Sequence, residues 1–209
     1  MAGLTPFTRI GIFGGTFDPP HVGHQILAAE ALDQLSLDRI LWVLTPNPPH
    51  KQNRAITPLE DRLRMVESTI TGNNKFELSS VEIERQPPHY ALDTVNTLQE
   101  LHPDAEMVYL IGGDLLSTLP EWYKPQEFVD ACSAIGVMCR PGQQADLQRL
   151  EGVIQGISSK LVIIDAPLLE ISSSGIRRRI VGKKPYRYYL PEAVCRIIRE
   201  GNLYLENKD

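Results

Sequence analysis

The chain has 209 residues, 42% of them hydrophobic and 22% charged, and a formal net charge of −5. That length buries a core without staples and suits one domain over 1–209, while the acidic balance argues against a general nucleic-acid binder. Three cysteines without a CxxC pair, no signal-peptide pattern and no apolar run of transmembrane length point to the cytoplasm and to no membrane contact.

Residues 9–13 form the first expected strand, ended by Gly14-Gly15. Over 24–35, Ile26, Leu27, Ala29, Ala31, Leu32 and Leu35 recur at helical spacing. RILWVL (39–44) reads as a buried strand, and the prolines of TPNPPHKQ (45–52) forbid regular structure. Thr57-Pro58-Leu59-Glu60 reads as a capping box with proline at the first helical position, opening a helix to about Ile70. Residues 76–83 look extended, 85–90 a loop and 91–101 a helix. Strands are expected at 107–111, 134–139 and 161–164. Ser172 or Ser173 caps a helix through Val181, and Pro191 opens a last helix that Gly201 closes.

Strands alternating with helices predict an α/β chain with a doubly wound, mostly parallel sheet, followed from about 170 by a small helical part. Such sheets bind ligands beyond the carboxyl ends of their strands. GGTFDPPH, TPNPPHK, GGD, CRPG and ISSSGIR all follow expected strands, which argues for one shared site.

The first loop is neither GxGxxG nor a P-loop. Gly14 and Gly15 fit a phosphate close to the backbone at a helix N-terminus, or a tight turn needing positive φ. His21 and His24 stand three apart, so on a helical turn they share a face. They admit three roles: half of a zinc site without a nearby third ligand, ordinary structural histidines, or donors to phosphate oxygens. In ISSSGIRRRI (171–180) the serines can cap the helix or bind phosphate. Arg177 can fork onto phosphate oxygens, whereas Arg178 and Arg179 read as a solvated face.

GGTFDPPHVGH resembles the first signature of HxGH-type nucleotidyltransferases, and ISSSGIR resembles their second. With PPHK, GGD, EWY and CRPG between them, the chain is similar to the bacterial nicotinate-nucleotide adenylyltransferases, over landmarks from about Arg9 to Arg177. The resemblance implies a Rossmann-like nucleotidyltransferase fold and transfer of AMP from ATP to a pyridine mononucleotide, with release of pyrophosphate. It implies that the mononucleotide phosphate, already ionised, attacks the α-phosphate, so catalysis is positioning and charge neutralisation.

By the family pattern, His21, His24 and Arg177 are the catalytic candidates. Gly14, Gly15, Thr16 and Phe17 join them around ATP, Ser173 or Ser174 holds the outer phosphates, and Gly112 and Asp114 lie near the adenosine. Asp114 equally suits the cap of a helix starting at Leu115. Mg²⁺ travels with ATP and needs few protein ligands, so no protein metal site is expected. Trp122 and Tyr123 are candidates to stack on the pyridine, or core aromatics. Asn47, His50, Lys51, Tyr90, Ala91 and Arg140 complete the pyridine-nucleotide side. The family's usual SYT reads His89-Tyr90-Ala91 here, Asn47 runs directly into Pro48-Pro49-His50, and APLLE before the serines lacks an aromatic. Rival readings are adenylation of nicotinamide mononucleotide or of both pyridines, phosphopantetheine adenylyl transfer, a non-catalytic nucleotide-binding regulator, and an RNA-binding module on the 177–187 cluster. KPYRYYL (184–190) is a candidate surface for a homo-oligomer.

Overall fold

The run RIGIFGG forms β1 (Arg9–Gly15) in the computed structural model of the chain, which describes residues 8–48, 56–138, 146–167 and 169–205. Five further strands follow: β2 (Arg39–Leu44), β3 (Phe76–Ser79), β4 (Glu106–Gly112), β5 (Ala134–Met138) and β6 (Leu161–Ile163). They make one sheet in the order β3-β2-β1-β4-β5-β6, with every pair parallel. Parallel strands need crossovers, and helices supply them on both faces: α1 (Val22–Gln34), α2 (Leu59–Ile70), α3 (Ala91–Leu101) and α5 (Pro125–Ala131). Short α4 (Gly113–Leu116), α6 (Leu147–Val153) and α7 (Ile157–Lys160) lie between strands, and α8 (Ser173–Val181) and α9 (Glu192–Glu200) close the chain.

The period of two along each strand divides the core. Ile10, Ile12, Leu41, Val43, Met107, Tyr109 and Ile111 pack with Leu92, Val95 and Leu98 of α3 and Phe128 and Val129 of α5. Their alternates Phe13, Ile40, Trp42, Leu44, Val108 and Leu110 pack with Leu27, Ala28 and Ala31 of α1 and Val66 of α2. Burial on both faces explains why these strands read as unbroken apolar runs. A third cluster joins α2 to the C-terminal helices: Met65 packs with Ile176 and Ile180 of α8 and Val194, Ile197 and Ile198 of α9.

Several boundaries differ from the expected ones. β1 runs on through Gly14 and Gly15, because both still pair with Val43 and Leu44. The extended reading of 76–83 stops at Ser79; a turn follows in which Glu84 N–H bonds to Ser80 O and Ser80 Oγ to Glu84. No capping box opens α2: Pro58, not Thr57, is the cap residue, and Glu60 and Asp61 complement the helix dipole instead. Helix α5, which none of the expected elements covers, starts on Pro125 after a left-handed Lys124.

The sheet order reverses between β1 and β4. Their ladder ends at Ile12–Tyr109, while β1 stays paired with β2 to Gly15–Leu44 and β4 with β5 to Gly112–Met138. The two strands therefore part at their carboxyl ends, and the loops after Gly15 and Gly112 flank the gap. This is the switch point where open α/β sheets take ligands.

Candidate active site

Gly14 and Gly15 do not adopt positive φ, so the tight-turn account of them fails. They are positions of close approach. A Cβ on Gly14 would stand 2.8 Å from the Tyr109 hydroxyl, and one on Gly15 3.0 Å from the Phe17 ring. The left-handed residue is Phe17 itself, at φ 47°. Such a conformation costs ~1–3 kcal/mol in a residue with a side chain. Burial offsets it: the ring sits edge-on to Phe13 and to His24, at 5.4 and 5.1 Å between centroids.

Helix α1 starts two residues earlier than its apolar spacing suggests, and this sets the histidine pair. His21 is the N-cap and His24 the third helical residue. The backbone N–H of His21 donates to His24 Nδ1 at 3.0 Å, and the two rings stack at 3.6 Å. A neutral imidazole that accepts through Nδ1 carries its proton on Nε2, so His24 is a donor at its outer edge. Gly23 makes the stack possible, since a Cβ there would stand 3.1 Å from His21 Nδ1.

The second signature arrives from the other end of the chain. Ser172 caps α8, its Oγ accepting from Gly175 N–H at 3.1 Å. The next residue, Ser173, donates through Oγ to Pro19 O and, one turn on, Arg177 Nη1 donates to Asp18 O, both at 2.8 Å. Ser174 Oγ lies 3.4 Å from Ser172 Oγ. The helix start thus rests on the loop that carries the histidines. Arg178 is exposed, but Arg179 is not the solvated residue expected. Its Nε donates to Pro185 O and its guanidinium lies 4.8 Å from the Tyr189 ring centre.

Two residues outside both motifs, Arg62 and Tyr204, hold this loop, the second through Asp18. Arg62 is 2% exposed. Its guanidinium donates to Thr57 O (2.9 Å), Thr16 O (3.1 Å), Thr45 O (2.8 Å) and Pro46 O (2.8 Å), joining the loops after β1 and β2 to the start of α2. Burial pulls the Arg62 pKa down, and the nearby Asp18 carboxylate opposes that fall. Asp18, also buried, accepts from Tyr204 Oη at 2.6 Å and from Thr57 N–H at 3.4 Å.

At the end of β4, Gly112 caps α4 and Asp114 lies inside its first turn, so Asp114 is not the helix cap. Its Oδ1 sits where a Gly112 Cβ would stand 2.6 Å away.

The pyridine candidates form a second group. Tyr90 and Tyr123 stack at 4.2 Å and 16°. Trp122 is half-buried against Phe128 (5.3 Å) and Tyr109 (6.3 Å), and Tyr109 links this group to Gly14. Tyr90 caps α3 and Ala91 is its first residue, so the helix N-terminus is presented here. Behind it, Arg85 Nη2 donates to Tyr90 O and Thr94 Oγ1, and Thr94 Oγ1 donates to buried Glu82 at 2.6 Å. Burial raises the Glu82 pKa, opposed by hydrogen bonds from Thr94 and Thr45 and by the Arg85 charge. Asn47 is exposed at the end of β2. His50, Lys51 and Arg140 lie outside the described residues. Among the described residues no group of three or more His, Cys, Asp or Glu is placed to hold a metal ion, and no helix is long and apolar enough to cross a membrane.

Known proteins match this architecture. The cytidylyltransferase-like family model matches residues 12–179. Nicotinate-nucleotide adenylyltransferase of Bacillus subtilis is 40% identical over 196 residues, 94% of this chain and 98% of that one. Two solved structures of Plasmodium falciparum nicotinic acid mononucleotide adenylyltransferase share the fold at 22% identity, covering 97% of this chain and 100% of theirs. The one complexed with APC has a TM-score of 0.77 and the one complexed with NaAD 0.79. With a family model over most of its length and a relative at that identity, the chain belongs to the cytidylyltransferase-like nucleotidyltransferases, within their nicotinate-nucleotide adenylyltransferase branch.

Proposed function

We propose that the chain transfers the adenylyl group of ATP to nicotinate mononucleotide, giving nicotinate adenine dinucleotide and pyrophosphate in NAD biosynthesis. The carrying observation is the convergence of Arg177, Ser173 and the stacked histidines on one loop at the switch point. The names of the relatives support the same reaction.

The mononucleotide phosphate oxygen attacks the α-phosphorus, a new P–O–P linkage forms, and the α–β bridging oxygen leaves with pyrophosphate. An ionised phosphate needs no general base, so the histidines act as donors. His24 Nε2–H faces the α-phosphate and steadies charge that grows on its oxygens. Arg177, Ser173 or Ser174 and the amides at the start of α8 hold the outer phosphates, and Gly14, Gly15, Thr16 and Phe17 border the nucleotide at the carboxyl end of β1. Gly112 and Asp114 border the adenosine. Mg²⁺ bound with ATP would supply neutralisation of the charge on the leaving pyrophosphate.

The pyridine lies against Trp122 and the Tyr90–Tyr123 stack. Its carboxylate suits the amides that open α3 at Ala91, which favours the acid over the amide where the family's threonine hydroxyl is missing. Asn47, His50, Lys51 and Arg140 complete that side. The chain works as one unit over 1–209, in the cytoplasm. Its buried thiols suit a reducing compartment; burial pushes Cys132 up to about 12, so it stays protonated. A homo-oligomer through 184–190, where Tyr188 is largely exposed, belongs to the same reading.

Pyrophosphate release from Mg-ATP and nicotinate mononucleotide tests the reaction. His24→Ala should lose about 100-fold or more in kcat while keeping its fold, the scale of one oxyanion donor. Turnover near the wild-type rate would remove His24 from the mechanism.

A further inference from the structure

The chain does not end at α9. Gly201 stops that helix, Leu203 N–H returns to Ile198 O at 3.0 Å, and Asn202 and Tyr204 both take the left-handed backbone, at φ 49° and 62°. Asparagine takes that backbone readily after a helix end, whereas Tyr204 takes it at a cost. Leu203 and Tyr204 pack on the cluster formed by α8 and α9. The result of this bend is one contact across the molecule: Tyr204 Oη donates to Asp18 Oδ1 at 2.6 Å, 186 residues away in sequence.

Asp18 is a hub with two sides. Its carboxylate receives Tyr204 Oη and Thr57 N–H, and its own backbone carbonyl receives Arg177 Nη1 at 2.8 Å. The next carbonyl, of Pro19, receives Ser173 Oγ. Anything that fixes the Asp18 side chain also fixes the two carbonyls against which the donors of α8 are set. A hydroxyl that bonds a buried carboxylate is a strong tether, and its loss strands an acceptor in the interior.

We infer that the Tyr204 hydroxyl is a positioning group for the ATP triphosphate: through Asp18 it sets where Arg177 and Ser173 stand. The inference rests on reading those two side chains as phosphate ligands. It makes the C-terminal turn part of the nucleotide site without touching the nucleotide. The pyridine side is spared, because Tyr90, Trp122 and Tyr123 are organised by α3, Tyr109 and Phe128 instead.

Tyr204→Phe keeps the ring and removes one oxygen. Its KM for Mg-ATP should rise about tenfold, the size of one hydrogen bond to a charged group, with the KM for nicotinate mononucleotide within twofold of wild type. Asp18→Asn, which keeps the size and one acceptor oxygen, should move the ATP KM in the same direction. In an Arg177→Ala background the Tyr204→Phe effect on ATP should shrink to the part carried by Ser173, well below the sum of the two single effects. An unchanged ATP KM in Tyr204→Phe overturns the inference. So does a parallel rise in both KM values, or full additivity with Arg177→Ala, each the mark of a merely structural tyrosine. If Arg177→Ala alone binds ATP like wild type, it is the phosphate-site reading that fails, and the inference with it.

Discussion

Arg62→Met tests how the nucleotide loop is held. Arg62 is 2% exposed and bonds four backbone carbonyls, of Thr16, Thr45, Pro46 and Thr57. Methionine fills part of the volume and offers no donor. The carbonyls cannot be replaced along with their partner, so the usual compensation for removing a buried charge is closed. At about 1 kcal/mol per stranded bond the loss is about 4 kcal/mol. For a chain of this size a kcal/mol shifts Tm by about 2–4 °C, so calorimetry should record a fall of about 8–16 °C. Arg62→Lys restores one cationic donor group and should recover part of that fall. Kinetics on the surviving folded fraction should show a raised KM for ATP, because the Thr16 carbonyl is tied through the same guanidinium. A Tm within about 2 °C of wild type, a change below one lost bond, would refute the claim that Arg62 clamps the three segments.

Gly23→Ala sets a methyl 3.1 Å from the His21 ring, so that ring must shift by a few tenths of an ångström against His24. Circular dichroism should stay native while kcat falls about tenfold or more, the scale of a displaced charge-stabilising donor; unchanged kcat would show that the stack is dispensable. The pH dependence of stability has a defined sign. Burial, helped by the Arg85 charge, lowers the His89 pKa. The unfolded chain then binds a proton below the ordinary imidazole value, about 6.5, that folded His89 resists. That contribution is complete above the ordinary value and is lost as pH falls through it, so Tm should drop between pH 7.5 and 5.5. His89→Gln should shrink the drop; an equal drop in the variant would take His89 out of the account.

The parts of the fold legible in the sequence are those that local pattern controls. RILWVL is buried on both faces and reads as a strand at its true bounds. Residues 91–101 carry an amphipathic period and a loop on their N-terminal side, and α3 matches them. The two signatures point to phosphate chemistry only together and through the family resemblance; singly, the histidines and serines each admit other roles. What escaped depends on partners far away in sequence. Arg62 looks like a solvated charge in LEDRLRM, yet with Met65, Val66 and Thr69 it shares the buried stripe of α2. An arginine on an apolar stripe was the available signal. Nothing local marks Tyr204, whose partner is Asp18 at the opposite end of the chain. The glycines of the first loop suggest a close phosphate or a positive-φ turn, while the structure uses them to admit the Tyr109 hydroxyl and the Phe17 ring. Pro125 could have announced α5, since proline at a first helical position is a start signal.

The most direct test of the whole account is product identity. Purified protein with Mg-ATP is offered equal nicotinate and nicotinamide mononucleotide, and the dinucleotides formed are separated and quantified. The account predicts nicotinate adenine dinucleotide as the main product, with stoichiometric pyrophosphate. Nicotinamide adenine dinucleotide in excess would contradict the acid preference, and no dinucleotide at all would contradict the adenylyl transfer itself.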